Sequence, residues 1–291
     1  MSTHLQSRPE APPQPEKSCL RLYDAHNHLQ DERLTPFLPE ILAALAREGV
    51  TQMVVNGSCE ADWPRVLELA RASPAVLPSF GYHPWYVGER SPAWRERLGE
   101  FLDAMPAAVG EIGLDRWIQP HDIVAQEEVF VAQLRIAAER DLPVSIHCLQ
   151  AWGRLLELLR AGPRPRCGFV LHSFGGPKEM IPELARLGAY FSLPGYFAHE
   201  RKERQREALR AVPLERLLIE TDAPDQCLPP SRTVYPLTDA ATGKVINHPA
   251  NLGAVYLFAA ELRGLPIEEL VVQVEQNFQA VFGALGRHRV G

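Results

Sequence analysis

The amino-acid sequence predicts an α/β protein, a single TIM-type (β/α)8 barrel. Short apolar or β-branched segments alternate along the chain with longer segments of helical periodicity, and this alternation gives eight strand candidates. Strands that alternate with helices favour a parallel sheet with right-handed crossovers, and eight such units close into a barrel. The length of 291 residues suits one such domain of about 250 residues.

Each predicted strand is followed by a helix or by a loop that leads into one. The eight strand segments begin near Leu20, Thr51, Ala75, Ala107, Leu142, Cys167, Gly188 and Arg216. The helices have apolar residues at helical spacing, with Gly49 as a stop after the first helix and Pro64 in the first turn of the second. The predicted helices cover about residues 38–47, 62–72, 93–104, 123–140, 152–160, 178–187, 201–211, 251–262 and 267–282.

Three segments are predicted to lie outside this regular pattern. Residues 1–19 are rich in proline and polar side chains and lack the apolar core of a signal peptide, so we expect a disordered tail. The barrel is predicted over residues 20–286, with a short C-terminal tail at 287–291. The irregular, proline-rich stretch between Asp222 and Val245 has the length of a functional lid or binding loop.

Composition narrows the classes of function. The net charge of −6 and the pI near 6.0 argue against a broadly basic nucleic-acid binder, although they allow a basic rim around one pocket. The five cysteines include no CxxC pair, which favours free thiols in a reducing compartment. The chain has no run of about 18 apolar residues, so we expect no membrane span. We also expect a cytoplasmic protein that is a monomer.

Residues able to bind a metal lie where the predicted strands end. They are His26 and His28 after strand one, then His83, Glu111, His147, His172 and Asp222 after strands three, four, five, six and eight. In a parallel barrel these ends meet at one rim, so we expect a shared site. His147 and His172 could instead be hydrogen-bonded core histidines, and Asp222 could cap a turn. A buried, unpaired Glu111 would be costly, which favours a ligand role.

The His26-Asn27-His28 triplet has a geometric reason. Side chains alternate along a strand with period two, so both imidazoles point to the same face and can share one metal. Asp24 lies two residues earlier on that face. We expect its carboxylate to orient one of the histidines from behind. The alternative is a capped polar group at the barrel mouth.

Taken together, these motifs resemble the TatD family of metal-dependent hydrolases, the TatD-type deoxyribonucleases among the amidohydrolase-like barrels. The resemblance runs from about residue 22 to 282 and is carried by YDAHNHL, GYHPW, VGEIGLD, SIHC, FVLHSFGG, LLIETDAP and QNFQAVF. VGEIGLD followed by IETDAP at this spacing is a specific signal, whereas the HxH triplet alone is not. The resemblance implies the barrel fold and metal-dependent hydrolysis.

The resemblance also implies a site for two divalent ions, with Zn, Mn or Mg as candidates. The implied ligands are His26, His28, Glu111 and Asp222 for one ion and Glu111, His147 and His172 for the other, with Glu111 as the bridge. Two ions can clamp the attacking and leaving oxygens of a phosphodiester, and Asp222 would accept the proton of the attacking water. His83 would contact the scissile group. Glu220 would be a supporting carboxylate, or alternatively a buried ion-pair partner.

The chain departs from the family pattern at two places. After His147 the family usually has an arginine and an acidic residue, where this chain has Leu149 and Gln150. Near the last helices the family commonly has Arg-Asn-Glu-Pro, where this chain has Ile246-Asn247-His248-Pro249. We expect His248 on the surface at a helix start, with a substrate contact as the alternative. The lost arginines weaken phosphate binding.

Substrate contacts are predicted at the rim of the barrel. The predicted contacts are His83, Trp85, Arg116, Tyr196 and Lys244, with Trp117, Phe197 and Arg232 as further candidates. The aromatic rings could stack on bases of a single strand, and the cations could meet phosphates. The alternatives are ordinary packing for the rings and solvated surface charges for the cations.

The favoured function is hydrolysis of phosphodiester bonds in DNA or a nucleotide-like substrate, as a 3′→5′ exonuclease on single strands. The same donor set could instead hydrolyse an ester or amide, as deacylation of aminoacyl-tRNA would require. A third possibility is a barrel that binds without catalysis, against which the intact ligand set argues.

Overall fold

The computed structural model describes residues 20–287, with side chains to residue 286. The tail predicted at residues 1–19 lies outside the described residues, as do residues 288–291 of the tail predicted at 287–291. Arg287 belongs instead to the last helix. Eight strands form one sheet in the order β1 to β8, and each neighbouring pair along this order is parallel. The strands are Leu22–Asn27, Val50–Asn56, Val76–Phe80, Ala108–Asp115, Val144–Leu149, Phe169–Leu171, Ala189–Pro194 and Leu217–Glu220. The predicted barrel fold is confirmed.

The helices surround this sheet. They are α1 to α9, at Leu38–Arg47, Trp63–Ala72, Trp94–Ala104, Ile123–Arg140, Trp152–Ala161, Ile181–Arg186, Glu203–Ala211, Leu252–Arg263 and Ile267–Arg287. Helices α1 and α4 have the predicted bounds. The sixth and seventh helices begin later than predicted, because each is preceded by a separate 3-10 turn, at Lys178–Met180 and Glu200–Lys202. No helix among residues 20–287 is long and apolar enough to cross a bilayer.

The barrel closes where β1 meets β8. The backbone N–H of Asp222 donates to the carbonyl of His26 at 2.9 Å, and that of His28 donates to the carbonyl of Ala223 at 2.8 Å. The carboxylate of Asp24 adds side-chain bonds across the same seam, accepting from Thr221 N at 3.0 Å and from Thr221 Oγ1 at 2.6 Å. The closure therefore joins the strand that carries the two histidines to the strand that precedes Asp222.

These contacts correct the prediction for Asp24. Its carboxylate accepts from the backbone N–H of His26 at 3.2 Å and from Asn27 Nδ2 at 3.1 Å, and among the described residues it has no hydrogen bond to an imidazole nitrogen. Asp24 therefore holds the backbone of the triplet rather than a ring. The sequence pattern placed it on the histidine face, but the register of β1 shifts between Asp24 and Asn27, so simple alternation does not hold there.

The stretch between Asp222 and Val245 is more ordered than predicted. It contains a 3-10 turn at Pro230–Arg232 and one strand of a small antiparallel hairpin, β9 at Pro236–Thr238, which pairs with β10 at Val245–Asn247. Asp239 stabilises the hairpin turn by accepting from Ala241 N at 3.1 Å and from the Thr242 hydroxyl. Gly243 has a φ of 70°, which a glycine adopts without strain.

The last helix packs on the barrel through its predicted apolar stripe. Phe278 and Phe282 of α9 are fully buried in a cluster with Tyr23, Val54 and Leu218 from the strands. The Tyr23 and Phe278 ring centroids are 4.9 Å apart. A separate, larger apolar cluster lies between the strands and the surrounding helices, including the first turns of α9, so the strands carry apolar contacts on both faces, as expected for a parallel barrel.

Gly113 in β4 is required by close packing of two backbones. A Cβ at this position would lie 1.9 Å from the carbonyl oxygen of His147 in β5. We predict that Gly113→Ala lowers the free energy of unfolding by more than about 2 kcal/mol, because the two strands must separate. Gly153→Ala in α5, where a Cβ meets nothing within 4 Å, is the matched control.

Chemical denaturation of both variants checks this prediction. The control should be stabilised by up to about 1 kcal/mol, because alanine favours the helix more than glycine does. Equal unfolding free energies for Gly113→Ala and the unmodified chain would show that the strands can move apart freely at this point.

Candidate metal centre

The strand ends surround one cavity of about 650 Å³. Its lining includes His28, His83, Glu111, His147, His172 and Asp222, and His26 lies directly beneath with no exposed surface. His28, His83, His172 and Asp222 follow the ends of their strands, whereas His26, Glu111 and His147 lie within β1, β4 and β5. All of them face the carboxyl-terminal side, where barrels of this type carry their sites. The structure therefore brings all the predicted metal ligands together.

The first donor group has four members. Nε2 of His26 and Nε2 of His28 are 3.3 Å apart, and each lies 3.3 Å from Glu111 Oε2 and 3.5 Å from Asp222 Oδ1. A tetrahedron with bonds of about 2.1 Å has edges of about 3.4 Å. Five donor-to-donor distances therefore match one small divalent ion, and these residues fit such an ion.

The second donor group uses the other oxygen of the same carboxylate. Glu111 Oε1 lies 3.0 Å from His147 Nδ1 and 2.9 Å from His172 Nε2, and these two nitrogens are 3.2 Å apart. His83 Nε2 is 3.4 Å from the same oxygen. Three clusters among the described residues could hold a metal. One is in the first group (His26, His28 and Glu111), one is in the second (His83, Glu111 and His147), and one spans both (His26, His172 and Asp222). The carboxylate of Glu111 thus faces two adjacent sets of donors, one with each oxygen.

The remaining ring nitrogens of three histidines are held by neighbours. His26 Nδ1 lies 2.8 Å from Ser145 Oγ, and His28 Nδ1 lies 2.8 Å from the carbonyl oxygen of Asn56. His147 Nε2 lies 2.9 Å from Asp115 Oδ2. Such partners select the tautomer and fix the ring that faces a metal.

Sequence reasoning missed Ser145 and Asp115 as partners of the histidines. Ser145 lies two residues before His147 on the same face of β5, and Asp115 is the last residue of VGEIGLD. The position of Ser145 was a usable signal, because alternation puts it in the barrel interior. The contact of Asp115 with a histidine on the next strand required the strand register.

Burial and charge set the protonation of the donors. Burial acts to raise the pKa of Glu111, but the surrounding histidines, His172 first, hold it well below its usual range. Burial lowers the pKa of His26 and of His83 to about 4. Burial also opposes a charge on His28, but Glu111 outweighs it and raises the pKa of His28 to about 9. Glu111 thus favours the protonated form of His28, and the histidines favour the ionised form of Glu111.

Glu220 lies behind the second donor group, where the supporting carboxylate was predicted. Its oxygens accept from Ser173 N at 2.7 Å, from Ser173 Oγ at 2.6 Å and from the hydroxyl of Ser192. Glu220 Oε1 is 3.7 Å from His172 Nδ1, a buried nitrogen without a hydrogen-bond partner among the described residues. The supporting role remains a prediction that this position favours.

The predicted substrate contacts divide into two sets. His83, Trp85 and Trp117 line the cavity. Arg116, Tyr196 and Lys244 do not. Lys244 precedes β10 in the hairpin turn. The cationic groups of Arg201 and Lys202 lie over the ring of Tyr196. The side chain of Arg154, and more weakly the charge of Arg116, lowers the pKa of Glu127 in α4.

His248 is not on the surface, which corrects the prediction. Only 7% of it is exposed, because its ring stacks on Tyr235 with centroids 5.2 Å apart. Its Nδ1 accepts from Ala250 N at 3.0 Å and so caps a 3-10 turn. It begins a helical segment as expected, but neighbouring packing, which sequence spacing does not reveal, buries it.

Arg33 lines the cavity and was also missed. Its guanidinium donates to Asp31 Oδ2 at 2.7 Å and to Asp225 Oδ2 at 2.9 Å. It therefore ties the loop after β1 to the loop after β8. Arg33 is the one lysine or arginine among the described residues that line this cavity, and two carboxylates neutralise it.

The family model described as TatD related DNase matches residues 23–283. The chain belongs to the TatD family. This membership confirms the predicted TatD-type hydrolase, with its metal dependence and barrel fold.

Individual relatives match this chain over about nine-tenths of its length. The chain is 32% identical over 268 residues to the "3'-5' ssDNA/RNA exonuclease TatD" of Citrobacter rodentium, covering 90% of this chain and 98% of that protein. It is also 32% identical to the "Uncharacterized metal-dependent hydrolase YcfH" of Escherichia coli K12, covering 90% and 95%. The crystal structure of the Escherichia coli TatD homolog YjjV superposes with a TM-score of 0.79 at 29% identity, covering 91% and 99%.

Asp115 gives a test of the second donor group. We predict that Asp115→Asn weakens binding of Zn or Mn at the second donor group by about 10- to 100-fold, because the amide no longer fixes His147 through a charged partner. Isothermal titration of the metal-free protein measures this. Asp141→Asn, which changes a carboxylate paired with Arg166, should leave both affinities unchanged. Unaltered binding in Asp115→Asn would exclude this orienting contact.

Proposed function

We propose that this protein is a TatD-type hydrolase that cleaves phosphodiester bonds and removes nucleotides from the 3′ end of single-stranded DNA. The observation that carries the proposal is the position of Glu111, whose two oxygens face separate donor groups. The exonuclease names of relatives at about one-third identity support the substrate class. The expected monomeric state and cytoplasmic location remain predictions.

The donor chemistry suggests how two ions would be held. His26, His28 and Asp222 with Glu111 Oε2 would hold one ion, and His147 and His172 with Glu111 Oε1 the other. Mixed histidine and carboxylate donors suit Zn or Mn better than Mg, which prefers oxygen ligands, although the family resemblance keeps Mg as a candidate. When bound, such ions supply Lewis acidity that polarises a phosphoryl oxygen and acidifies a water.

The chain's own residues would complete the reaction. Asp222 Oδ1 faces the first donor group, where it can accept the proton of the attacking water. Burial raises the pKa of Asp222 to about 7, and beside a bound divalent ion this carboxylate would stay ionised and able to accept that proton. His83 Nε2 lies next to Glu111 and at the cavity wall, in position to contact the phosphate or the leaving oxygen.

A second candidate is hydrolysis of an ester or amide, including deacylation of aminoacyl-tRNA. The neutralised state of Arg33 and the presence of Leu149 at the mouth favour it, because neither offers a free cation to a second phosphate. Assays on single-stranded oligonucleotides and on a panel of esters, with the same metal-loaded protein, separate the two. Turnover of esters alone would replace the nuclease proposal.

Glu111 is the residue whose loss should matter most. We predict that Glu111→Ala removes bound metal and lowers the rate of oligonucleotide cleavage at least about 1000-fold, because both donor groups lose an oxygen. Metal analysis and single-turnover cleavage measure the two effects. Glu127→Ala on α4, which breaks an ion pair with Arg154 at the surface, is the control and should retain both. Normal turnover by Glu111→Ala would refute the bridging role.

Metal removal should affect stability as well as activity. Ligands that bind the folded state stabilise it by about 2.7 kcal/mol at a free concentration 100 times the Kd. We therefore predict that chelation abolishes cleavage and lowers the Tm, and that added Zn or Mn restores both. Two results would favour a binding scaffold without catalysis. The Tm would be the same with and without metal, and the metal content would be near zero after expression in metal-supplemented medium.

A further inference from the structure

One side of the cavity mouth is apolar and open to solvent. Trp85, Trp117 and Leu149, which we call the apolar shelf, are 43%, 60% and 40% exposed and all line the cavity. They follow or end β3, β4 and β5, which are neighbours in the barrel. Exposed apolar surface concentrated at a pocket usually marks a binding surface, and here it adjoins the donor groups.

The shelf is held by the same carboxylate that supports the site. Asp115 Oδ2 accepts from the indole Nε1 of Trp85 at 2.7 Å, and Asp115 Oδ1 accepts from the backbone N of Trp117 at 2.7 Å. Asp115 also contacts His147, as described above, and Leu149 is two residues after that histidine. The shelf is therefore positioned relative to the donor groups rather than free to move independently of them.

The opposite side of the mouth has different chemistry. It carries the carboxylates of Asp31, Glu32 and Asp225, and its single arginine, Arg33, donates to two of them. A phosphate beyond the scissile one would meet unfavourable charge there. Of these two sides of the mouth, the apolar shelf is therefore the one that suits the uncharged base of a nucleotide.

We propose that the apolar shelf binds the unpaired base of the 3′-terminal nucleotide, the one that is released. This inference rests on the proposed function and adds the recognition element. A cavity of about 650 Å³ is of the size that holds one small ligand, and a base is flat and uncharged. A base within a duplex is stacked and paired, so only a frayed or single-stranded end can reach the shelf.

The test compares two single-stranded oligonucleotides that differ only at the 3′ end, where one has a thymine and the other an abasic tetrahydrofuran residue. Stacking on an aromatic ring is worth about 5- to 150-fold in affinity. We expect the abasic end to raise KM for release of the first nucleotide about tenfold in the unmodified protein. We expect Trp117→Ala to raise KM about tenfold on the thymine end and to add nothing on the abasic end.

Conservative variants separate stacking from folding. Trp117→Phe keeps a ring and should recover most of the affinity. Leu149→Ala should raise KM severalfold on the thymine end. Leu257→Ala, which truncates a leucine of α8 that is more exposed (51%) but lies outside the cavity lining, should not. Quenching of indole fluorescence by the thymine oligonucleotide in a chelator should weaken in Trp117→Ala, which reports binding without turnover.

The outcomes distinguish the two proposals. The inference is overturned if the unmodified protein cleaves both oligonucleotides with the same KM. It is also overturned if Trp117→Ala raises KM by the same factor on both, because the shelf then does not bind the terminal base. If it cleaves neither oligonucleotide with any of Zn, Mn or Mg, the proposed nuclease function fails, and the assignment of the shelf fails with it.

Discussion

The structure depends on one buried carboxylate that must be compensated from two sides. Glu111 is 2% exposed and sits at the centre of the strand ends, with imidazole nitrogens around both of its oxygens. A carboxylate isolated from water is costly unless it is paired. The histidines share that compensation, and the lowered pKa of Glu111 shows the result. His28, His147 and His172, whose pKa values are raised, supply the positive charge that offsets this burial.

The same contacts that close the barrel also build the site. Asp222 follows β8, and its backbone N–H bonds to the carbonyl of His26 while its carboxylate faces the ring of that histidine. Asp24 and Thr221 hold the seam below. Stability and donor geometry are therefore coupled at β1 and β8, so a change that opens the seam also separates the first donor group.

Local pattern was enough for much of this protein. Alternating periodicity predicted the eight strands, and the polar residues at strand ends predicted the convergence of His26, His28, His147 and His172 with Glu111. These predictions work because both depend on short-range geometry and on a topology in which parallel strand ends meet at one rim. Bounds were less accurate where a 3-10 turn preceded a helix, as before α6 and α7.

Contacts between distant segments required the three-dimensional fold. Arg33 meets Asp225 across 192 positions of the chain, and His248 is buried by a stacking partner. The register of β4 on β5 pairs Gly113 with His147 and Asp115 with Leu149, and only this register brings the Asp115 carboxylate within reach of the His147 ring. The sequence by itself thus determined the barrel and its donor residues. The hydrogen-bond and stacking partners of those residues were decided by the tertiary structure, because they depend on angles and distances between segments that no local pattern encodes.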